Sequence, residues 1–139
     1  MRERSRARSW ALQVLYAWEA RGGAVAPEVV LQDFLEERRI APQSRDYLRR
    51  LVRTVAEHRE EVDRAVQQAL TNWRLERLAA IDRNILRLAA AEMLFIEEVP
   101  PRVSIQEAIV LAEKYGTAES PRFVNGVLDA LLARLEGRA

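Results

Sequence analysis

Arginine occupies positions 2, 4, 6 and 8 in the opening "MRERSRARSW", yet 22 basic and 21 acidic residues leave the chain at a formal net charge of only +1. Alternation would place all four guanidinium groups on one side of a strand. On a helix, at about 100° per residue, it does not: Arg2 and Arg6 project to one side, while Arg4 and Arg8 sit well over about 100° away. The helical stripe that matters is Arg2, Arg6, Ser9, Gln13 and Tyr16, spaced 4-3-4-3 and roughly opposite the apolar stripe. A basic end then leads into hydroxyl, amide and phenol groups along one exposed ridge. Guanidinium on phosphate, followed by hydrogen bonding and stacking, is the chemistry of an RNA-contact surface. The bland alternative is a charged end that only aids solubility.

A second candidate is "SPRFVNGVLD" at 120–129. Phe123 falls in the first turn of a helix, and beside Arg122 it could offer a stacking face to an unpaired base. Gly126 lies inside the same helix, where glycine costs about 1 kcal/mol relative to alanine. That implies close approach of another backbone, from a neighbouring helix or a ligand. The competing reading makes Phe123 peripheral core and Gly126 a helix crossing. Asn125 points away from the apolar stripe.

The groups needed for catalysis are sparse. The one histidine, His58, sits on a charged stretch and reads as a solvated imidazole. No cysteine is present, which removes disulfides, thiol catalysis and zinc–thiolate sites, so no metal and no cofactor is expected. Glycines at 22, 23, 116, 126 and 137 build no phosphate-cradling loop. The serines have no plausible histidine base, and the pairs Glu36-Glu37, Glu60-Glu61 and Glu97-Glu98 read as solvated faces. The expectation is a protein that is not an enzyme.

Helices must position these residues. Between Pro42 and Pro100 there is neither proline nor glycine, so helix follows helix. The first is expected from about Glu3 to Ala20, with Ala7, Ala11, Val14, Leu15 and Trp18 inward. The second fits between Pro27 and Arg38. A long third runs from Pro42 and Ser44 to "TNW" at 71–73, with the period weakest near His58-Arg59, which admits a kink. The fourth is "LERLAAIDRNILRLAAAEMLFIEE", apolar most of the way round and so suited to the middle of a bundle. "VPPR" at 99–102 stops it. Ser104-Ile-Gln-Glu107 reads as a capping box that starts the fifth, and Gly116 as its stop. The last opens with Ser120 as cap and Pro121 at the first helical position.

The expected fold is all-α, a compact bundle of six or seven helices in two small sub-bundles, about 1–72 and about 73–139. With 49% hydrophobic residues the chain can fill one core, and no apolar run approaches the roughly 20 residues that cross a bilayer. No secretory signal is visible. A cytoplasmic protein without membrane contact is expected.

Three stretches carry a resemblance. "ARSWALQVLYAWE", "LERLAAIDRNILRLAAAEMLF" and "VPPRVSIQEAIVLAEKYGTAESPRFVNGVLDALL" resemble the bacterial transcription antitermination factor family NusB, over almost the whole chain. The resemblance implies a non-catalytic, all-helical protein that binds the small-subunit ribosomal protein NusE. With it, the family binds single-stranded boxA RNA in nascent ribosomal RNA transcripts. Other antitermination factors and RNA polymerase are then indirect partners. By position it implies RNA contact for Arg2, Arg4, Arg6 and Arg8, a place near the RNA for Gln13 and Phe123, and an RNA or interface role for Arg87; Arg122 is added to the RNA-binding set as the neighbour of Phe123. Tyr16, Asp82 and Glu119 match positions on the NusE side or the protein–RNA junction. NusB-like domains also occur fused to ribosomal RNA cytosine methyltransferases. That alternative needs a glycine-loop cofactor domain and a catalytic cysteine, and holds only for a fragment. A structural homodimer without an RNA role is the other alternative.

Overall fold

A computed structural model describes residues 2–138, and among them are seven α-helices, one 3₁₀ turn and no strand. The helices are α1 (Arg2–Ala20), α2 (Pro27–Glu37), α3 (Pro42–Glu57), α4 (Arg59–Ala69), α5 (Ala80–Phe95), α6 (Pro101–Tyr115) and α7 (Ser120–Leu135). The expected long third helix is two. It breaks at His58, whose backbone leaves the helical region at φ −118°, ψ 25°. Its imidazole stacks on Phe95 at 3.9 Å between ring centroids, 13° from parallel, and its Nδ1 lies 3.6 Å from Glu61. The histidine is therefore packed on one ring face and partly solvated on the other, not fully solvated.

The expected fourth helix is shorter than "LERLAAIDRNILRLAAAEMLFIEE". Leu75–Arg77 form the separate 3₁₀ turn, and α5 ends at Phe95. Prolines set the starts of α2, α3 and α6, where a fixed φ is preorganised and the missing N–H has no helical partner to lose. None of these starts has a side-chain cap.

Two expected caps fall differently. Ser104 is in the second turn of α6, not before it, and is buried. Its hydroxyl donates to Glu92 Oε1 at 2.6 Å. The capping box does not form, because Pro101 already begins the helix and a buried carboxylate claims the serine. Ser120 is the first helical residue of α7, and its Oγ accepts the Thr117 amide at 2.9 Å, so it closes the preceding turn. Gly116 does end α6, although its backbone is extended (φ −93°, ψ −163°). Its reason is space: a Cβ there would stand 2.4 Å from Ser120 Oγ.

α1, α2 and α3 pack together, as do α4, α5, α6 and α7. α4, expected with the N-terminal group, lies against α5 and α7 and touches α3 more lightly. α5 joins the groups, packing on α1, α3, α4, α6 and α7. Residues 84–92 of α5 are all buried, which is why its sequence is apolar on nearly every face. One hydrophobic cluster runs through both groups, from Leu15 and Leu48 to Ile85, Leu111 and Leu128.

Inside that cluster is a charge. The Glu92 carboxylate accepts from Arg8 Nε at 2.7 Å, Tyr47 Oη at 2.5 Å and Ser104 Oγ. Four helices, α1, α3, α5 and α6, thus meet on one carboxylate. Burial, then the hydrogen bond to Glu92, pushes the Tyr47 phenol well above its ordinary range, so it stays a donor. We expect Glu92→Gln to leave the Arg8 cation undercompensated and to lower the unfolding free energy by about 3 kcal/mol. Urea titration followed by circular dichroism measures this. A loss below about 0.5 kcal/mol, the scale of a neutral surface change, would show that the pair is dispensable.

Candidate nucleic-acid interface

α1 exists as a helix because its apolar stripe, Ala7, Ala11, Leu12, Val14, Leu15 and Trp18, is buried against α3, α5 and α2. That anchorage decides which arginines remain outside. Arg2 and Arg6 are exposed and make no ion pair among the described residues. Arg4 is half-buried, with its guanidinium 4.6 Å from the Tyr47 ring centroid and 3.6 Å from Glu98. Arg8 turns inward, 3% exposed, and is held by Glu92 and by Glu107 at 3.0 Å. Arg8, implied as a phosphate contact, is placed by the structure on two carboxylates, its Nε on Glu92 and its Nη1 on Glu107.

Side chains of α6 buttress the ridge. Ser5 donates to Glu107, and the hydroxyls of Ser9 and Tyr115 share a hydrogen bond. Gln13 lies 3.4 Å from both Tyr115 Oη and the Ser9 carbonyl. Tyr16 is 45% exposed at the far end. Arg2, Arg6, Ser9, Gln13 and Tyr16 thus form one face of α1, with the polar groups of α6 alongside.

α6 turns into α7 through the tight Gly116–Ser120 contact, which places Glu119, Arg122 and Phe123 at the start of α7. Glu119 and Arg122 are exposed. Phe123 is half-buried, packed on the core cluster with part of its ring outside. Asn125 is exposed. The close approach expected at Gly126 is absent: a Cβ there would meet nothing within 4 Å.

Arg87, implied at an RNA or interface position, is also paired within the fold. It is 5% exposed and forms a bidentate pair with Asp63 at 2.8 and 3.2 Å, with Glu19 as a third acceptor at 2.5 Å. It joins α5 to α4 and α1. Arg83 also donates to Glu19 and to the Leu78 carbonyl at 2.6 Å. Asp82, next to it in the first turn of α5, is half-buried, and its Oδ1 is a buried atom without a hydrogen-bond partner among the described residues.

The sequence reading passed over Glu92, Glu19 and Asp63, and gave Glu107 a capping role where the structure has it accept from Ser5 and Arg8. The available signal was Glu92 itself, a lone carboxylate in the apolar run "AAAEMLF", which cannot be buried without a cation or donors. Among the described residues there is no cluster of three metal-ligating side chains, and no helix long and apolar enough to cross a membrane.

The NusB family profile matches residues 5–133. The chain belongs to the NusB family. A protein named transcription antitermination protein NusB from Sorangium cellulosum is 49% identical over 135 residues, 97% of this chain and 95% of the relative. The NusB protein of Trichlorobacter lovleyi is 44% identical, over 94% of this chain and 90% of its own length. Among solved structures, NusB of T. maritima superposes with a TM-score of 0.82 at 37% identity, covering 92% of this chain and 89% of the other. The NusB chain in a complex of antitermination factors NusB and NusE with double-stranded RNA superposes at 0.85, with 32% identity and coverage of 96% and 98%.

Glu19 and Glu98 are among the carboxylates of this NusB-family chain that titrate low. Burial alone would raise Glu19, but hydrogen bonds from Arg83 and Arg87 hold it below the ordinary carboxylate range. A hydrogen bond from Arg50 brings Glu98 down to about 2. A depressed folded-state pKa gives stability that is present above the unfolded value and is lost as pH falls through the folded one. Thermal midpoints should therefore fall as pH drops from about 5 towards about 2. In Glu19→Gln the decline should be shallower from a lower starting point. An identical slope in the variant would mean that Glu19 contributes nothing to acid sensitivity.

Proposed function

We propose that this chain is a transcription antitermination factor that binds boxA-type single-stranded RNA together with the ribosomal protein NusE, in support of ribosomal RNA transcription. The observation that carries this reading is the exposed α1 face, where Arg2 and Arg6 stand free of internal ion pairs while Arg8 and Arg87 are consumed within the fold. A protein of net charge +1 needs only a local cationic patch for RNA contact.

Arg2, Arg4 and Arg6 meet phosphates, Gln13 hydrogen-bonds near the RNA, and Phe123 beside Arg122 stacks an unpaired base. Tyr16, Asp82 and Glu119 face the protein partner. The unsatisfied Oδ1 of Asp82 supports that assignment, since a donor from a partner would complete it. A basic partner that extends the surface would strengthen RNA binding by linkage. The same reading makes the chain non-catalytic and cytoplasmic, working as one unit built of two helical sub-bundles. RNA polymerase and other antitermination factors are reached through the complex.

The test is fluorescence anisotropy with a short boxA-type RNA and a scrambled control, with and without NusE, across salt concentrations. Selective binding that tightens with NusE is expected. Arg6→Ala should weaken binding about 3- to 10-fold and reduce the salt slope by about 0.7, the value for one phosphate contact on a single strand. Equal affinity for scrambled RNA in the presence of NusE would refute the reading and favour a structural helical homodimer.

A further inference from the structure

α7 carries a glycine that the fold does not require. Gly126 is helical and exposed, with open space where its Cβ would stand. Alanine would be the more stable residue at such a place. The missing side chain instead deepens an open groove of about 380 Å³ between α7 and the end of α4. Phe123, Gly126 and Val127 line it from α7, and Leu70 and Trp73 from the opposite side, with Arg122 on the rim.

Trp73 is the most exposed large apolar side chain among the described residues, at 56%. Its position is not a result of a slack loop. Asn72 adopts a left-handed backbone (φ 64°) that turns the chain. The Gln67 side chain then grips both flanks, donating to the Trp73 carbonyl at 2.9 Å and accepting from the Leu75 amide at 2.8 Å. The backbone is clamped while the indole is left in solvent, where about half its surface is unburied at a cost in hydration.

We propose that this groove is a second stacking site for an unpaired nucleobase. Trp73 and Phe123 form its aromatic walls, Gly126 is the gap that admits the ring, and Arg122 serves the adjoining phosphate. The proposal rests on the RNA reading above and extends it beyond Phe123. Three features favour a base over an apolar side chain of a protein. An exposed cation without an internal partner stands at the rim. The walls are aromatic and few hydrogen-bonding groups line the groove, which suits stacking without sequence readout. Finally, the groove shares Phe123 with the surface that leads back through the 116–120 turn and Tyr115 to the α1 ridge.

The test uses the full chain with NusE and a short boxA-type single-stranded RNA. Trp73→Ala and Gly126→Leu should each weaken RNA binding by about 10-fold, and Trp73→Phe should restore most of it. Gly126→Leu occupies open space, so helicity should be unchanged. RNA should quench tryptophan emission in the wild type and much less in Trp73→Phe, because Trp18 is buried and Trp10 is half-buried. An abasic nucleotide walked along the RNA should abolish the Trp73→Ala effect at one position. Affinities within about twofold of wild type in both groove variants, while Arg6→Ala still weakens binding, would overturn the groove and leave the antitermination reading intact. A loss of NusE affinity alone in Trp73→Ala would overturn it in favour of a protein-docking groove. No RNA binding by the wild type would end both readings.

Discussion

The architecture depends on one buried carboxylate. Glu92 lies on the central helix, 1% exposed, where a lone charge would be prohibitively costly. It is tolerated because α1, α3 and α6 each supply a donor: Arg8, Tyr47 and Ser104. The net gain over a well-packed apolar substitute is small, since desolvation offsets most of the attraction. What the arrangement provides is discrimination. Rotating or sliding any of the three helices would strand a charge or a donor in the core, so the helices have one mutual register.

That constraint sorts the opening arginines by exposure. Their alternation in sequence becomes an inside–outside division once Arg8 is drawn to Glu92 and Glu107. Arg2 and Arg6 are then directed to solvent, and Arg4 is left between them on Tyr47 and Glu98. The same economy operates at α5, where Arg83 and Arg87 are spent on Glu19 and Asp63. Net charge is near neutral because basic and acidic residues are almost equal in number, and pairing within the fold decides which of the opening arginines still face solvent. The ridge is also stiff, because Ser5, Ser9 and Gln13 are hydrogen-bonded to α6 rather than loosely solvated. Preorganised groups lose less entropy when a ligand orders them.

Periodicity made most of the fold legible. The apolar stripe of α1 and the all-round apolar surface of α5 reflect the single requirement that those faces be buried, and both appear as expected. The break at His58 was visible as a weak period, but the stacking partner Phe95 lies 37 positions away and no local pattern names it. The serine of "SIQE" had the right neighbours for a cap, and lost that role because Glu92 needed a donor. Gly126 looked like a contact point and instead borders open space. In each of these cases a local rule met a partner distant in sequence, and the partner decided.

Sequence alone determined that the chain is helical, where α1, α2, α6 and α7 start and stop to within a few residues, which faces are apolar, and which ridge of α1 could carry guanidinium groups. These follow from the 3.6-residue period and from proline and glycine geometry, which act over a few residues at most. Only the tertiary structure decided which arginines are free. Arg6 and Arg8 are chemically identical and two residues apart. What separates them is the position of Glu92 and Glu107, brought within hydrogen-bond reach from 84 and 99 residues along the chain. Charge availability is a property of three-dimensional pairing, and pairing exists only after the helices have packed.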